Sequence, residues 1–465
     1  MKPAADVTDR PDLTFALAEE ALALTPDALS AADIAQLKRL LLDHLGVCAR
    51  GASLPWGEAL TAWGRAYDGS GPCIVFGSAL KTAPPSAALI NSTAAHGMEM
   101  DDTHDESVTH PGAGVIASAL AVGVAEGRDG GEILAAIAAG YEVMARIGPA
   151  TDVGDMIERG FHLTALFGGF GAATAAGKLL GLDARTLCSA WGLMLSMAGG
   201  SMQFAHDPHG TTVKRLHGGY GAHNGTMAAQ FAALGIDGPK QAFDGVFGLC
   251  NLFGPKPDVS RLRRQPNAPL EIHRISIKPY PCCRLFHSTI DALRETTDGL
   301  TMPADEIAGI RVGGPAIMVT QHMMRRPTSV MAAQYSLPFA LATSLLHGPE
   351  AYESYAEDTL DNSAILALGD RIDAVEDTGL EAAFPSHFGS WVELTTRNGE
   401  TRRSDVLDSF GTPARPIPDD GLRAKFESLT QTVMPDLDLQ AVYAAVDGFD
   451  GLADATALTR LFAAR

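Results

Sequence analysis

The run His96-Gly-Met-Glu99-Met-Asp101-Asp102-Thr103-His104-Asp105 places two imidazoles and four carboxylates within ten residues, and Thr109-His110-Pro111 follows closely. Such a run admits three readings. It can be a solvated acidic loop. It can hold a divalent ion through Asp101, Asp102, His104 and His110, because carboxylate oxygens and imidazole nitrogens suit divalent metals, although the spacing matches no specific metal motif. It can be an acid–base site, and His110 favours this third reading. Pro111 suits the first position of a helix, which puts His110 at or beside the N-cap. The positive end of the helix dipole disfavours imidazolium, so His110 stays neutral and able to accept a proton. The same amides can hold a substrate carboxylate.

Three further segments carry matching chemistry. Arg159-Gly-Phe161-His162-Leu-Thr164 precedes a Gly/Ala-rich helix that begins near Leu163, so His162 also sits at a helix N-terminus. A lone histidine there is commonly a cap or a core residue, but two in equivalent settings suit a paired acid and base. Gly210-Thr-Thr-Val-Lys214-Arg215-Leu-His217 is a basic island in an acidic chain. It is either a surface loop with ordinary charges or a carboxylate clamp, with Arg as a bidentate fork and Lys as a point charge. Ile277-Lys278-Pro-Tyr280-Pro-Cys282-Cys283-Arg284-Leu-Phe-His287 stands where the sequence pattern changes. Lys278 and Arg284 can add anion contacts from a second domain that closes over substrate. Adjacent cysteines rarely bridge without strain, so Cys282 and Cys283 read as structural.

The elements around these segments are mainly helical in the first half of the chain. Ser30 and Asp33 have capping-box spacing ahead of Ile34, Leu37, Leu40, Leu41 and Leu45. Pro111 opens the next clear helix, and Asp129-Gly-Gly-Glu132 caps another. Helical stretches over 163–180, 184–198 and 219–234 follow, rich in small residues that let helix axes approach closely. Gly168-Gly-Phe-Gly171 lies inside this pattern and reads as helix packing. From Pro269 the pattern changes. A strand over 270–277, a helix over 287–298, a strand over 307–312, a helix over 329–347 and an Asn398-Gly399 hairpin over 391–405 are expected. Helices return at 419–434 and 437–446. The expected fold is mainly α, with an all-helical domain formed by 1–269 and 410–465 and an inserted α+β lid over 270–409.

Bulk properties exclude several functions. The formal net charge is −20, which repels nucleic acid and anionic membrane surfaces, so neither is an expected partner. Residues 1–29 carry scattered acidic side chains and no apolar core of a signal peptide. The apolar stretches at 112–125 and 163–177 are too short to span a bilayer. Six cysteines without a CxxC spacing fit a reducing compartment, and a cytoplasmic location is expected. No Walker loop, strand-linked GxGxxG or GxSxG elbow occurs.

In this order, His96-Gly-Met-Glu-Met-Asp-Asp-Thr103, His110-Pro111, Gly140-Tyr-Glu-Val143, Gly160-Phe-His162, Lys214-Arg-Leu-His217-Gly and Lys278-Pro-Tyr-Pro281 resemble the MmgE/PrpD family over nearly the whole chain. That family includes 2-methylcitrate dehydratase, cis-aconitate decarboxylase and iminodisuccinate epimerase activities. The resemblance implies a helical domain of discontinuous sequence with an α+β lid, a homodimer, and chemistry that needs no metal or organic cofactor. It implies a pocket lined by Glu99, Thr103, His110, His162, Lys214 and Lys278; the family often has Asp where this chain has Glu99. The expected function is a lyase acting on a small di- or tricarboxylate. His110 and His162 serve as base and acid, Glu99 and Thr103 orient substrate or a histidine, and Lys214, Lys278, Arg284 and His217 hold carboxylates. A 2-methylcitrate dehydratase is ranked first among the three activities. The rivals are a metal-dependent hydrolase built on Asp101, Asp102, His104 and His110, and a carboxylate-binding protein without turnover.

Overall fold

A computed structural model describes residues 12–207, 211–299 and 302–464. The first part of the N-terminal segment read above as lacking a signal peptide, and Gly210 at the start of the basic motif, lie outside the described residues. The fold is mainly α. Six long helices carry the first module: Ala31–Ala52, Pro84–Gly97, Pro111–Ala125, Gly130–Ala150, Leu163–Leu179 and Val213–Ala233. The capping boxes expected from sequence are present, Ser30 with Asp33 and Asp129 with Glu132. Small residues bring backbones into contact. A Cβ on Gly225 would stand 2.3 Å from the Gly169 carbonyl oxygen, so only glycine lets the 163–179 and 213–233 helices meet this closely. The Gly130–Ala150 helix is long and apolar enough to cross a membrane, but it is buried by its neighbours and encloses a Glu142–Arg146 ion pair. It is the central core helix.

Several helices were not anticipated, among them Pro55–Tyr67 and Pro84–Gly97. The second is buried at every residue from Ser86 to Gly97, including Asn91, Ser92, Thr93 and His96. A helix covered on all sides has no polar face, so periodicity cannot reveal it. The first module is also not wholly helical. Cys73–Ile74 pairs with Lys81–Thr82, and Thr103–His104 pairs antiparallel with Ile275–Ser276. The strand expected over 270–277 shrinks to that pair. Glu271–Arg274 is instead a single 3-10 turn, held where the Glu271 amide donates to Glu142 Oε1 at 2.5 Å. That bond draws the chain onto the helical core, where Leu270, Ile272, Ile275 and Ile277 pack.

A second cluster of buried apolar residues runs from Tyr280 to Val406. Its sheet has four strands, Ile307–Gly314, Ile372–Glu376, Ser390–Thr396 and Thr401–Val406. Ile307–Gly314 lies between the other long strands, parallel to 372–376 and antiparallel to 390–396. The last two strands form the expected hairpin, with Gly399 in the left-handed region (φ 87°) that its turn requires. The helix expected over 329–347 is broken into Val330–Gln334 and Leu337–His347, because Ser336 turns out to cap the Phe339 amide. This break sets Gln334 and Tyr335 at the seam. The Asp419–Gln431 helix returns to the first module, where Leu422, Phe426 and Leu429 join the helical core.

His44, on the 31–52 helix, is 4% exposed and its Nε2 has no hydrogen-bond partner among the described residues. Burial pushes its imidazole down to about 4. The unfolded chain therefore binds a proton below about pH 6.5 that the fold refuses, and the associated stability is lost as pH falls from about 6.5 to about 4. Between pH 7 and pH 5 the wild-type protein should lose about 2 kcal/mol more stability than a His44→Leu variant, measured by urea unfolding at both pH values. Parallel pH dependence in the two proteins would refute this.

Candidate active site

Glu99 stands just past the end of the 84–97 helix, with its backbone in the left-handed region (φ 56°) and no exposure to solvent. A carboxylate so placed must be neutralised locally. Lys214 on the 213–233 helix makes a direct ion pair with Glu99 Oε1. Lys278, from the segment that crosses to the second module, places Nζ 3.5 Å from Oε2 and 3.3 Å from the Glu99 carbonyl oxygen. The Tyr335 hydroxyl donates to Oε2 at 3.3 Å. Burial alone would raise the Glu99 carboxyl, but the charges of Lys214 and Lys278 override it and hold the group far below the usual carboxylate range.

Four imidazoles form a row beside this pair. Ring centroids of His96 lie 5.0 Å from His110 and 5.9 Å from His162, and those of His162 and His217 are 4.7 Å apart. Asp101 sits between two of them. Its Oδ2 is 2.7 Å from His96 Nδ1 and its Oδ1 is 3.3 Å from His110 Nδ1, the latter at ion-pair distance without hydrogen-bond alignment. His162 Nδ1 meets His217 Nδ1 at 2.9 Å, so one ring donates and the other accepts. His110 and His162 occupy the N-caps of the 111–125 and 163–179 helices, as their sequence settings indicate. The Thr164 hydroxyl, accepting from the His110 amide at 3.1 Å, ties the two helix ends together. Burial lowers both imidazoles below the ordinary histidine range, with Lys214 adding to the effect. His217 is pushed down to about 4 by burial and His96 to about 3. The unliganded row is thus neutral at pH 7.

These groups meet a cavity of about 110 Å³ between the modules. Glu99, Thr103, His110, His162, Lys278 and Arg284 line it. Lys214 and His217 do not. Both lie in the first turns of the 213–233 helix, which begins six residues earlier than expected, and are 0% and 4% exposed. Lys214, Arg215 and His217 thus belong to a buried helical turn rather than to the surface loop that was one of the two sequence readings. Lys214 contacts Glu99 and His217 contacts His162, each one layer behind the wall, where the sequence led us to expect them to face substrate directly. Arg215 is likewise internal, donating to the Gly97 carbonyl and to Gln334 Oε1 and covering Trp56. Arg284 faces the cavity but donates to Asp105 Oδ2 at 2.8 Å and Ser409 at 3.0 Å, while the Thr103 hydroxyl donates to Asp105 Oδ1 at 3.1 Å.

The four residues of the metal reading do not converge. Asp102 accepts from the Tyr141 hydroxyl at 2.5 Å and the Gly112 amide at 2.8 Å, which anchors the 111–125 helix, and burial pushes its carboxyl up to about 7. His104 is 2.8 Å from the Ser107 hydroxyl and 3.3 Å from Glu271. A different trio, His96, Asp101 and His110, has ligating atoms within 4.8 Å of one another. Cys282 and Cys283 are buried and unbridged, and burial pushes the Cys283 thiol up to about 11, so neither suits redox work. Sequence reasoning missed the positioning role of Asp101, and it missed Tyr335 and Gln334. Gln334 Nε2 donates to the carbonyls of Met98 and Pro281, clasping the two modules. Asp101 was visible in the first motif; nothing in the local sequence marks Gln334 or Tyr335.

Residues 16–262 match the MmgE/PrpD N-terminal domain and residues 280–447 the MmgE/PrpD C-terminal domain. The chain is 25% identical to the cis-aconitate decarboxylase-like protein oryM of Aspergillus oryzae, over 98% of both chains. It is 25% identical to a cis-aconitate decarboxylase of Aspergillus terreus, over 99% of this chain and 98% of that one. It is 26% identical to the cis-aconitate decarboxylase of Mus musculus, over 92% of this chain and 88% of the relative.

Lys214→Met should cost about 3–5 kcal/mol in unfolding free energy, because it strips Glu99 of its closest counter-charge. Adding Glu99→Gln should recover most of that loss. Full additivity of the two single effects in a urea double-mutant cycle would show that the pair is not coupled.

Proposed function

The chain belongs to the MmgE/PrpD family, and from that premise we propose that it is a lyase that removes carbon dioxide from a β,γ-unsaturated polycarboxylate, with cis-aconitate as the parent compound. Decarboxylation takes precedence over the dehydration ranked first on sequence, because the relatives that span the chain bear the decarboxylase name. The observation that carries the reading is the cavity wall itself: His162, hydrogen-bonded from behind by His217, and His110, at ion-pair distance from Asp101, stand beside a lysine. Lys278 is the more loosely held partner of Glu99, since its contact is long while Lys214 already neutralises the carboxylate. An entering substrate carboxylate can take Lys278 without leaving Glu99 unpaired.

The chemistry balances without an added reagent. The bond from the allylic carbon to its carboxylate breaks and carbon dioxide leaves. The released electron pair forms a new double bond, and the pair of the old double bond moves to the carbon beside a second carboxylate. That carbon takes a proton from an imidazole, His110 or His162, while Lys278 faces the growing negative charge. Both histidines start neutral, so the proton must be acquired on binding. Substrate anions raise imidazole affinity for protons, in the opposite sense to burial. Glu99 and Thr103 keep Lys278 and Arg284 in place through the contacts already described.

A homodimer and a cytoplasmic location, both implied at the level of sequence, are part of the proposal. The free, buried state of all six cysteines fits a reducing compartment.

Proton NMR in D₂O with cis-aconitate, citrate, 2-methylcitrate and iminodisuccinate, with and without EDTA, tests the reading. Cis-aconitate should give a new vinylidene pair and one deuteron on the adjacent methylene, with EDTA inert. Alkene formation from a hydroxy acid alone would assign a dehydratase, and EDTA-sensitive turnover restored by metal would revive the His96–Asp101–His110 trio as a metal centre. His162→Asn and His110→Asn should each lower kcat by about 10²-fold or more. Binding of the inert tricarboxylate tricarballylate near pH 7 should take up protons, seen by calorimetry in two buffers of different ionisation enthalpy; no uptake would remove the histidines as proton donors.

A further inference from the structure

We propose that the substrate carries an apolar arm, an alkyl or aryl group larger than methyl, which lies against a hydrophobic wall built jointly by the two modules. The inference rests on reading the cavity as the decarboxylation site. Ile157, Phe161 and Met202 contribute to that wall from the helical module, and Ile317, Phe384 and Phe388 from the α+β module. None offers a hydrogen-bonding side chain, whereas a substrate made only of carboxylates needs polar contacts on every side. The wall is braced from behind. Phe384 and Phe388 meet edge to face at 5.1 Å, and Phe161 meets Phe253 in the same way at 5.4 Å. Phe161, Met202, Ile317 and Phe384 remain partly exposed, which leaves apolar area for a ligand to cover.

The charges at the site point the same way. Three cations, Lys214, Lys278 and Arg284, face three carboxylates, Glu99, Asp101 and Asp105. Both lysines are spent on Glu99, Arg284 on Asp105, and Asp101 lies between two imidazoles. Positive charge for substrate comes from Lys278, once released, and from imidazoles that gain protons, all of them near Glu99 and the histidine row. His322, which also lines the cavity, is 3.1 Å from the Tyr335 carbonyl, and burial pushes it down to about 4. It offers a neutral ring rather than a cation. A carboxylate directed at the Phe161–Phe388 side would meet no cation there, only the neutral Gln321 and His322 at the edge of the wall, while each methylene placed there improves binding about fourfold.

The test is calorimetric binding of succinate, methylsuccinate, propylsuccinate, pentylsuccinate and tricarballylate to the full-length protein. None of these can be decarboxylated by the proposed route, so the readout does not depend on turnover. The Kd should fall by about fourfold per added methylene from methyl to pentyl, and pentylsuccinate should bind tighter than tricarballylate. Met202→Gln and Ile317→Asn, one from each module, should flatten that slope. A Kd indifferent to chain length, tightest binding by tricarballylate, or no binding by any of the five would overturn the proposal. Carbon dioxide release from cis-aconitate is scored separately. Release with a flat series refutes the arm and keeps the decarboxylase; a steep series without release keeps the arm and removes unsubstituted cis-aconitate as the substrate.

Discussion

A carboxylate sealed from water has to be neutralised where it stands, and Glu99 is neutralised by two lysines that reach it from different parts of the chain. Much of the architecture follows from that requirement. Lys214 can arrive only if the 213–233 helix buries its own N-terminal turn, where cations oppose the helix dipole and need a partner to be tolerated. Lys278 can arrive only if the segment leaving the helical core crosses directly over the acidic loop, which the Thr103–His104 and Ile275–Ser276 pairing secures. The left-handed backbone at Glu99 is an uncommon state for a residue with a side chain and persists only where its surroundings over-determine it. Two lysines, Tyr335 and the clasp of Gln334 on the Met98 carbonyl supply those surroundings.

The histidine row depends on the same enclosure. In water each ring would titrate near pH 6.5; inside the protein, burial and the lysines hold them neutral. Asp101 works against that trend at two rings at once and fixes their orientation from behind. The result is a set of weak bases whose proton affinity is governed by whatever charge enters the cavity. An anion in the cavity would raise that affinity, which is the behaviour that the proposed proton donor to carbon requires.

The close helix packing beneath the site serves this arrangement. Where glycine lets the 163–179 and 213–233 helices touch backbone to backbone, His162 on one and His217 on the other come within hydrogen-bond reach. Where Asp102 takes the Gly112 amide and the Tyr141 hydroxyl, the helix headed by His110 is seated against the core helix. The α+β module supplies the opposite wall, with Lys278 and Arg284 at its threshold and aromatic side chains beyond.

Much of this was legible in the chain. Helices announced by capping boxes, by Pro111 and by apolar periodicity could be read because those signals act over three or four residues. The Asn398-Gly399 hairpin was local in the same sense. His110, His162, Lys278 and Arg284 could be singled out because their types and settings suit acid–base work on an anion, Glu99 and Thr103 through the family resemblance, and the structure gathers all six at one cavity. Only the tertiary structure could decide which polar groups face that cavity and which stand behind it. The 84–97 helix is buried on every side and leaves no periodic trace. Lys214 and His217 look like surface charges until the packing of their helix encloses them, and Asp101, Asp102 and His104 cannot be told apart in a run of similar residues until distant partners claim some and not others, as Tyr141 claims Asp102 across 39 positions and Glu271 claims His104. Residue type sets what chemistry a side chain can do; burial and long-range partners set whether it is free to do it.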